Sequence, residues 1–324
     1  MKKYKIPQSD IEVSRIAYGC MKLGRHWDAT PITRQDIDAG QKVIQTACEN
    51  GITLFDHADI YARGKSEEIF GQILHIEPEL RERIIIQSKC SIRFAGEPEV
   101  TDPQRYDFTA EYIMSSVEGS LKRLQTDYLD ILLLHRPDPL VEPEEVAKAF
   151  SALYTSGKVR VFGVSNHTAS QIALLQHFVD QPIVINQVQL NLIHNYLIDE
   201  GVIANRSGVE TALASDTLDY CRLHHILVQA YNPVGGGQLI NPPEDAQANV
   251  KAAAGVIADF AQSYHTTREA VALSWLLRHP AGIQPIIGTT RPERIVAACA
   301  ADVLELSREA WYTLYIAGRG HPLP

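Results

Sequence analysis

The stretch Asp127-Tyr128-Leu129-Asp130-Ile131-Leu132-Leu133-Leu134-His135 decides how the rest of the chain reads. A strand-like apolar run stops on an imidazole, a costly place for a polar group unless partners converge there. Upstream, Ile113, Val117, Leu121 and Leu124 fall on one face at helical spacing, so an amphipathic helix feeds this strand. Moving outward, Ile84-Ile85-Ile86-Gln87-Ser88 ends on Lys89, and Thr53-Leu54-Phe55 ends on Asp56. Tyr61 follows in Asp56-His57-Ala58-Asp59-Ile60-Tyr61. Further strand candidates end near Gly19, Ser165, Leu190, Tyr231 and Ile287. Strand and helix alternate over residues 1–324 with no linker, which predicts one α/β domain, a (β/α)8 TIM barrel. Such barrels carry their sites at the carboxyl ends of the strands, so the scattered polar ends become one ring.

Local signals agree. Thr168-Ala169-Ser170-Gln171, Thr266-Thr267-Arg268-Glu269 and Thr290-Arg291-Pro292-Glu293 read as capping boxes, and Glu142-Pro143-Glu144-Glu145 as a first helical turn. Residues 4–13 predict a β-hairpin closing the other end of the barrel, and Ser307 to Gly318 an extra C-terminal helix. The longer segments 20–33, 91–109, 191–216 and 232–247 follow strands and are expected to rim the site.

Composition narrows the class. With 30 Lys+Arg against 39 Asp+Glu the net charge is −9, which argues against nucleic-acid partners and anionic membranes. No apolar run reaches membrane-spanning length. Five scattered cysteines without a Cys-x-x-Cys pair fit a reduced, cytoplasmic protein. Asn166-His167-Thr168 and Asn205-Arg206-Ser207 match the glycosylation sequon, which means little without secretion.

The residue types at the strand ends suit one task, giving a proton to a carbonyl oxygen. Tyr61 is the phenol, Lys89 the cation that lowers its pKa, Asp56 the anion that holds Lys89, and His135 the imidazole that orients the carbonyl. Taken singly, each reads as an ion pair or a rim residue; it is the convergence that makes them a site. His57 and Asp59 are assigned to the rim. Ser165, Asn166 and Gln187 are hydroxyl and amide side chains able to fix a carboxamide. Gly235-Gly236-Gly237 reads either as a flexible turn or as room for a pyrophosphate. Thr289, Thr290 and Arg294, after the eighth strand, are placed to grip a phosphate, although Thr290 reads equally as a helix cap. The chain has no Gly-x-Gly-x-x-Gly fingerprint, which counts against a Rossmann domain.

Asp56-x-Ala58-x-x-Tyr61, Gln87-Ser88-Lys89, Asp127 to His135 and Phe162-Gly163-Val164-Ser165-Asn166 together resemble the aldo-keto reductase superfamily, from about Arg15 to Ala300. Asp56 to Tyr61 and His135-Arg136-Pro137-Asp138-Pro139 are similar to a bacterial branch of poorly characterised oxidoreductases. The resemblance implies an NADPH-dependent carbonyl reductase, with NADH the lesser cofactor, no metal, and a monomer acting on a small aldehyde or ketone. It implies Asp56, Tyr61, Lys89 and His135 as catalytic residues. Gly19, Cys20, Met21, Ser165, Asn166, Gln187, Tyr231, Asn232, Gly235, Gly236, Gly237, Gly288, Thr289, Thr290 and Arg294 are implied on the cofactor, with Tyr231 stacked on the nicotinamide and Arg294 on the 2′-phosphate. Trp27, Phe94 and Tyr106 are expected, with Met21, to form an apolar wall for the substrate. Three positions depart from the pattern: His57 replaces a small residue, Gly288 a basic one found in some relatives, and Ala298 an amide found in many. Two rivals are a cofactor-binding regulatory subunit, like the potassium-channel subunits that resemble this superfamily, and a metal-dependent hydrolase. The hydrolase lacks grouped His and carboxylate ligands on its strand ends.

Overall fold

The computed structural model describes residues 1–203 and 216–324, so the second sequon and residues 204–215 of the segment 191–216 lie outside the described residues. Strands β1 (Lys3–Lys5) and β2 (Glu12–Ser14) form the expected antiparallel hairpin. The barrel then begins with β3 (Ala17–Gly19), β4 (Leu54–Asp56) and β5 (Ile85–Cys90). A short antiparallel pair follows, β6 (Ile92–Arg93) and β7 (Arg105–Tyr106). The barrel resumes with β8 (Leu129–Leu134), β9 (Val159–Ser165), β10 (Ile183–Gln189), β11 (Leu227–Tyr231) and β12 (Gln284–Ile287). Each barrel strand lies parallel to the next in chain order, and β12 returns to β3 with Ile286 opposite Ala17, so the sheet closes. All eight predicted strand ends fall within one residue of an observed one.

The helices are α1 (Arg34–Glu49), α2 (Lys65–Ile76), α3 (Leu80–Arg83), α4 (Ala110–Leu124), α5 (Pro143–Thr155), α6 (Ala169–Phe178), α7 (Tyr196–Ile203), α8 (Thr217–Leu223), α9 (Ala248–Ser263), α10 (Arg268–Leu277), α11 (Pro292–Cys299) and α12 (Arg308–Arg319). Thr168 and Gln171 form a reciprocal capping box on α6, and Pro143 opens α5. Two caps differ from expectation. The cap of α10 is Thr267, one residue later than read, which frees Glu269 from any capping duty. At α11 the cap position is Arg291 and no side chain closes it, so Thr290 is not a cap. None of the described helices is long and apolar enough to cross a membrane.

The barrel sits between two apolar layers. Outside it, the stripe Ile113, Val117, Leu121 and Leu124 of α4 is buried, worth about 1.5–3 kcal/mol for each large side chain. Helix α2 crosses α4 so closely that a Cβ on Gly71 would lie 2.1 Å from the Arg123 carbonyl oxygen, so only glycine fits. Helix α12 docks through Trp311, whose ring stacks on Trp275 of α10 with centroids 5.4 Å apart and planes 13° from parallel. The Trp311 indole N–H donates to the Trp275 carbonyl at 2.9 Å. At the amino end, Ile6, Ile11 and Val13 of the hairpin pack on Ala17, Leu54, Ile131 and Ile185, so the hairpin is the barrel floor. Asp130, the one charged residue inside the apolar run of β8, accepts from Arg160 at 2.7 Å and the Ile86 amide at 2.9 Å and forms an ion pair with Arg81 at 2.9 Å. With that floor sealed, the opposite mouth is where the strand ends meet solvent.

Candidate active site

Three consecutive barrel strands, β4, β5 and β8, bring Asp56, Tyr61, Lys89 and His135 to one place. Lys89, at the end of β5, is 1% exposed and would be intolerable there alone. Its ammonium donates to Asp56 Oδ1 at 2.7 Å and Oδ2 at 2.8 Å, to the His57 carbonyl at 2.8 Å and to the Tyr61 hydroxyl at 3.2 Å. Burial works against its charge, but Asp56 and Tyr61 outweigh it and hold the pKa above the usual lysine range. Tyr61 rides on the turn after β4, and its ring meets the His135 imidazole edge-on at 5.8 Å. The phenol departs from the sequence-based expectation. Burial raises its pKa more than the Lys89 charge lowers it, so the net direction is up. Burial, then the charges of Lys89 and Arg136, push the His135 pKa well down, so the imidazole is neutral. Its Nδ1 is sealed off without a partner among the described residues, and the side chain lines the cavity described below.

Beneath this group runs a ladder of amides that sequence reasoning missed. Gln87 and Gln187 each donate to Asp56 Oδ1, at 2.5 and 3.1 Å. Both also donate to Gln229 Oε1, at 2.9 and 3.0 Å. Gln229 donates in turn to Gln87 and to Gln284, and Gln284 to the Ser14 carbonyl at 2.6 Å. A chain of buried hydrogen bonds thus joins the Asp56 carboxylate to the hairpin floor. The signal in sequence was a lone amide inside several otherwise apolar strands.

His57 and Asp59 are not on the rim. His57 is fully buried with its ring edge against Phe70 at 4.6 Å, and neither ring nitrogen has a partner among the described residues. Burial and the Lys89 charge lower its pKa to about 3. Its backbone carbonyl, as noted, is a Lys89 ligand. Asp59 turns away from the site, and burial with the nearby Glu67 raises its pKa to about 8.

The tetrad opens into a cavity of about 640 Å³ that runs from the barrel mouth along β11 and β12 to α11. Gly19, Met21, Ser165, Asn166, Gln187, Tyr231, Asn232, Gly236, Gly237, Gly288, Thr289, Thr290 and Arg294 line it, as expected. The Ser165 hydroxyl donates to the Gln187 carbonyl at 2.8 Å. Asn166, held at φ 63°, accepts from the Tyr231 hydroxyl at 3.1 Å. Both N–H groups of Gln187 are spent on the amide ladder, which leaves its Oε1 as the free end.

Several expected residues lie elsewhere. The Cys20 side chain is wholly buried in the core. Gly235 is a packing position, where a Cβ would come within 2.9 Å of Ile193 Cδ1. Trp27, Phe94 and Tyr106 do not line this cavity. Tyr106 sits on the β6–β7 hairpin, and Phe94 lies under Arg63 in a separate cavity. The polar lining that sequence reasoning missed is Lys22, Arg136, Glu269 and Arg291.

The groove suits an elongated, anionic ligand. The glycine turn takes φ of 59°, 67° and 98°, conformations that favour glycine. A Cβ on Gly237 would meet nothing within 4 Å, so a ligand can come close to the backbone. The amides of Gly235, Gly236 and Gly237 are already bonded to Asn232 and Val234, so the turn provides room rather than free donors. Cationic side chains (Lys22, Arg136, Arg291, Arg294) and the Thr289 and Thr290 hydroxyls provide the charge and the donors. Such a lining fits a dinucleotide.

Comparison with known proteins agrees with this geometry. The chain is 34% identical over 316 residues to the uncharacterised oxidoreductase YcsN of Bacillus subtilis, covering 97% of each. It is 36% identical over 318 residues to a 6-dehydroglucose reductase of Agrobacterium fabrum, covering 98% of each. An aldo/keto reductase from Klebsiella pneumoniae, solved in complex with NADP and acetate, superposes with a TM-score of 0.72 at 27% identity, over 97% of this chain and 93% of that one. The model of the aldo/keto reductase family matches residues 15–316, and the chain belongs to that family of oxidoreductases.

Proposed function

We propose that this protein reduces aldehyde or ketone carbonyls to alcohols with NADPH as the hydride source, NADH being the weaker cofactor. The observation that carries the reading is the Lys89 ammonium, bound at once to Asp56 and to the Tyr61 hydroxyl at the mouth of a cavity wide enough for a dinucleotide. When bound, the nicotinamide supplies the hydride; everything else is done by the chain. Ser165, Asn166 and the Oε1 of Gln187 would hold the carboxamide, and Tyr231, which lines the same cavity, would bound the nicotinamide site. His135, neutral, donates from Nε2 to the substrate oxygen and aims it at Tyr61. Tyr61 gives up its proton as the oxygen gains charge. Its raised pKa keeps that proton in place at rest. Lys89, 3.2 Å away, stabilises the phenolate as it forms. In the reverse direction tyrosinate is the base.

Thr289, Thr290 and Arg294 are the residues proposed for the 2′-phosphate. The similarity to a 6-dehydroglucose reductase is a reason to include oxidised sugars beside simple aldehydes and ketones among the substrates proposed. Isothermal titration calorimetry with NADPH and NADH, followed by turnover on a panel of those carbonyls, tests the reading. The expected result is tight NADPH binding and oxidation of the cofactor once a carbonyl is added. Binding of neither nucleotide overturns it.

A further inference from the structure

Arg294 does not wait for a phosphate with its charge free. Its Nε donates to Glu269 Oε1 at 3.1 Å, an ion pair with side chains only 30% and 17% exposed. Glu269 stands in the first turn of α10, behind its Thr267 cap, and it faces the same cavity as Gly288, Thr289, Thr290 and Arg291. A first-turn glutamate has an ordinary explanation in the helix dipole. Here, however, the side chain reaches across to a second helix and lines the groove.

The geometry points to Glu269 as the residue that sets how strongly this end of the groove prefers a phosphorylated ribose; the inference rests on the reading of the groove as a nicotinamide dinucleotide site. The argument is one of charge. A 2′-phosphate that uses Arg294 must either displace the Glu269 carboxylate or sit beside it, like charge against like. An unphosphorylated ribose meets no such penalty. Its 2′-hydroxyl donates to the carboxylate, while the guanidinium stays neutralised by its partner. Carboxylate for hydroxyl and arginine for phosphate are the two general solutions to this discrimination, and here both side chains are present, bound to each other. Arg291, exposed and without a carboxylate partner among the described residues, is the cation left for the phosphate. The wild-type chain therefore favours NADPH by less than Arg294 alone would allow.

The test is calorimetric titration of wild type, Glu269→Gln and Glu269→Ala with NADPH, NADH, adenosine 2′,5′-bisphosphate and adenosine 5′-monophosphate. The last two differ only in the 2′-phosphate. Removing the carboxylate is expected to tighten NADPH and the bisphosphate by about tenfold, without tightening NADH or the monophosphate. Using two variants guards against one that misfolds. An NADPH-to-NADH affinity ratio that is the same in wild type and in the folded variants overturns the inference while leaving the cofactor site in place. Wild-type protein that binds neither dinucleotide overturns the cofactor reading itself.

Discussion

The two ends of the cavity are built on different principles. At the barrel mouth Asp56, Gln87, Lys89 and Gln187 are at most 2% exposed, and each is tied into the amide ladder or the Lys89 cluster. At the far end Gly288, Thr290 and Arg291 are exposed, and a single ion pair, Glu269–Arg294, spans two helix termini. The first region is held like a core, so its groups cannot reorganise when charge develops, which is what proton transfer requires. The second is held like a surface, so its affinity can be retuned without disturbing the fold.

The largest break in that comparison is expected at the rigid end. Tyr61→Phe keeps the ring and removes the acid, so NADPH should bind as in wild type while turnover falls ~10²–10⁴-fold. Full turnover in that variant removes Tyr61 from the mechanism. Next comes the ladder. Gln229→Leu takes an acceptor from Gln87 and Gln187 and strands acceptors on Gln87 and Gln284 in the barrel interior, and should cost about 1–3 kcal/mol of stability for each group left unsatisfied. Urea denaturation measures this; an unchanged midpoint would mean the amides contribute nothing. At the soft end, Arg294→Ala should weaken NADPH about tenfold while leaving the thermal midpoint nearly unmoved. Equal weakening of NADH would mean that the arginine does not read the 2′-phosphate.

The smallest effect concerns pH. His57 and His167 are buried and His279 is half-buried, and desolvation lowers their pKa values to about 3, 4 and 4. Between the unfolded value near 6.5 and those folded values the unfolded chain binds more protons, so stability falls as pH drops through that window. Asp59 has the opposite sign. Its raised pKa of about 8 means that the folded chain holds the proton more tightly, so its contribution grows as pH falls from 8 towards 4. Three groups against one predict a net loss on acidification from these sites. His57→Leu, which also removes two unpartnered ring nitrogens, should stabilise the protein and flatten the slope of melting temperature against pH below 6.5. A slope identical to wild type would mean that His57 is not titrating as described.

The rigid end was also the more legible one. An ionisable residue closing an apolar strand is visible in one dimension, because burial penalises it unless partners are near. Asp56, Lys89 and His135 follow from that rule, and the barrel follows from the alternation of strand-like and helix-like segments along the chain. The amide ladder was hidden, since Gln87 and Gln229 lie 142 positions apart and alternation along a strand does not name the partner across a barrel. Glu269 was obscured by a neighbouring pattern: a one-residue shift of the helix start, from Thr266 to Thr267, turned a capping acid into a groove residue. Phe94 and Tyr106 were misplaced because the segment after β5 folds into its own hairpin, β6–β7, which carries no periodic signal. Tyr61 does meet Lys89, but its acidity was judged from the neighbouring cation without the opposing cost of burial.

The stacked indoles of Trp275 and Trp311 have an optical consequence. At 5.4 Å their electronic transitions couple, so the folded protein should show an exciton couplet in ultraviolet circular dichroism. The third tryptophan of the chain, Trp27, is 45% exposed on the segment after β3. The couplet therefore reports the docking of α12 onto α10, the helix that also carries Glu269, and Trp311→Phe should abolish it. Followed during urea denaturation, it would show whether the C-terminal helix detaches before the barrel opens.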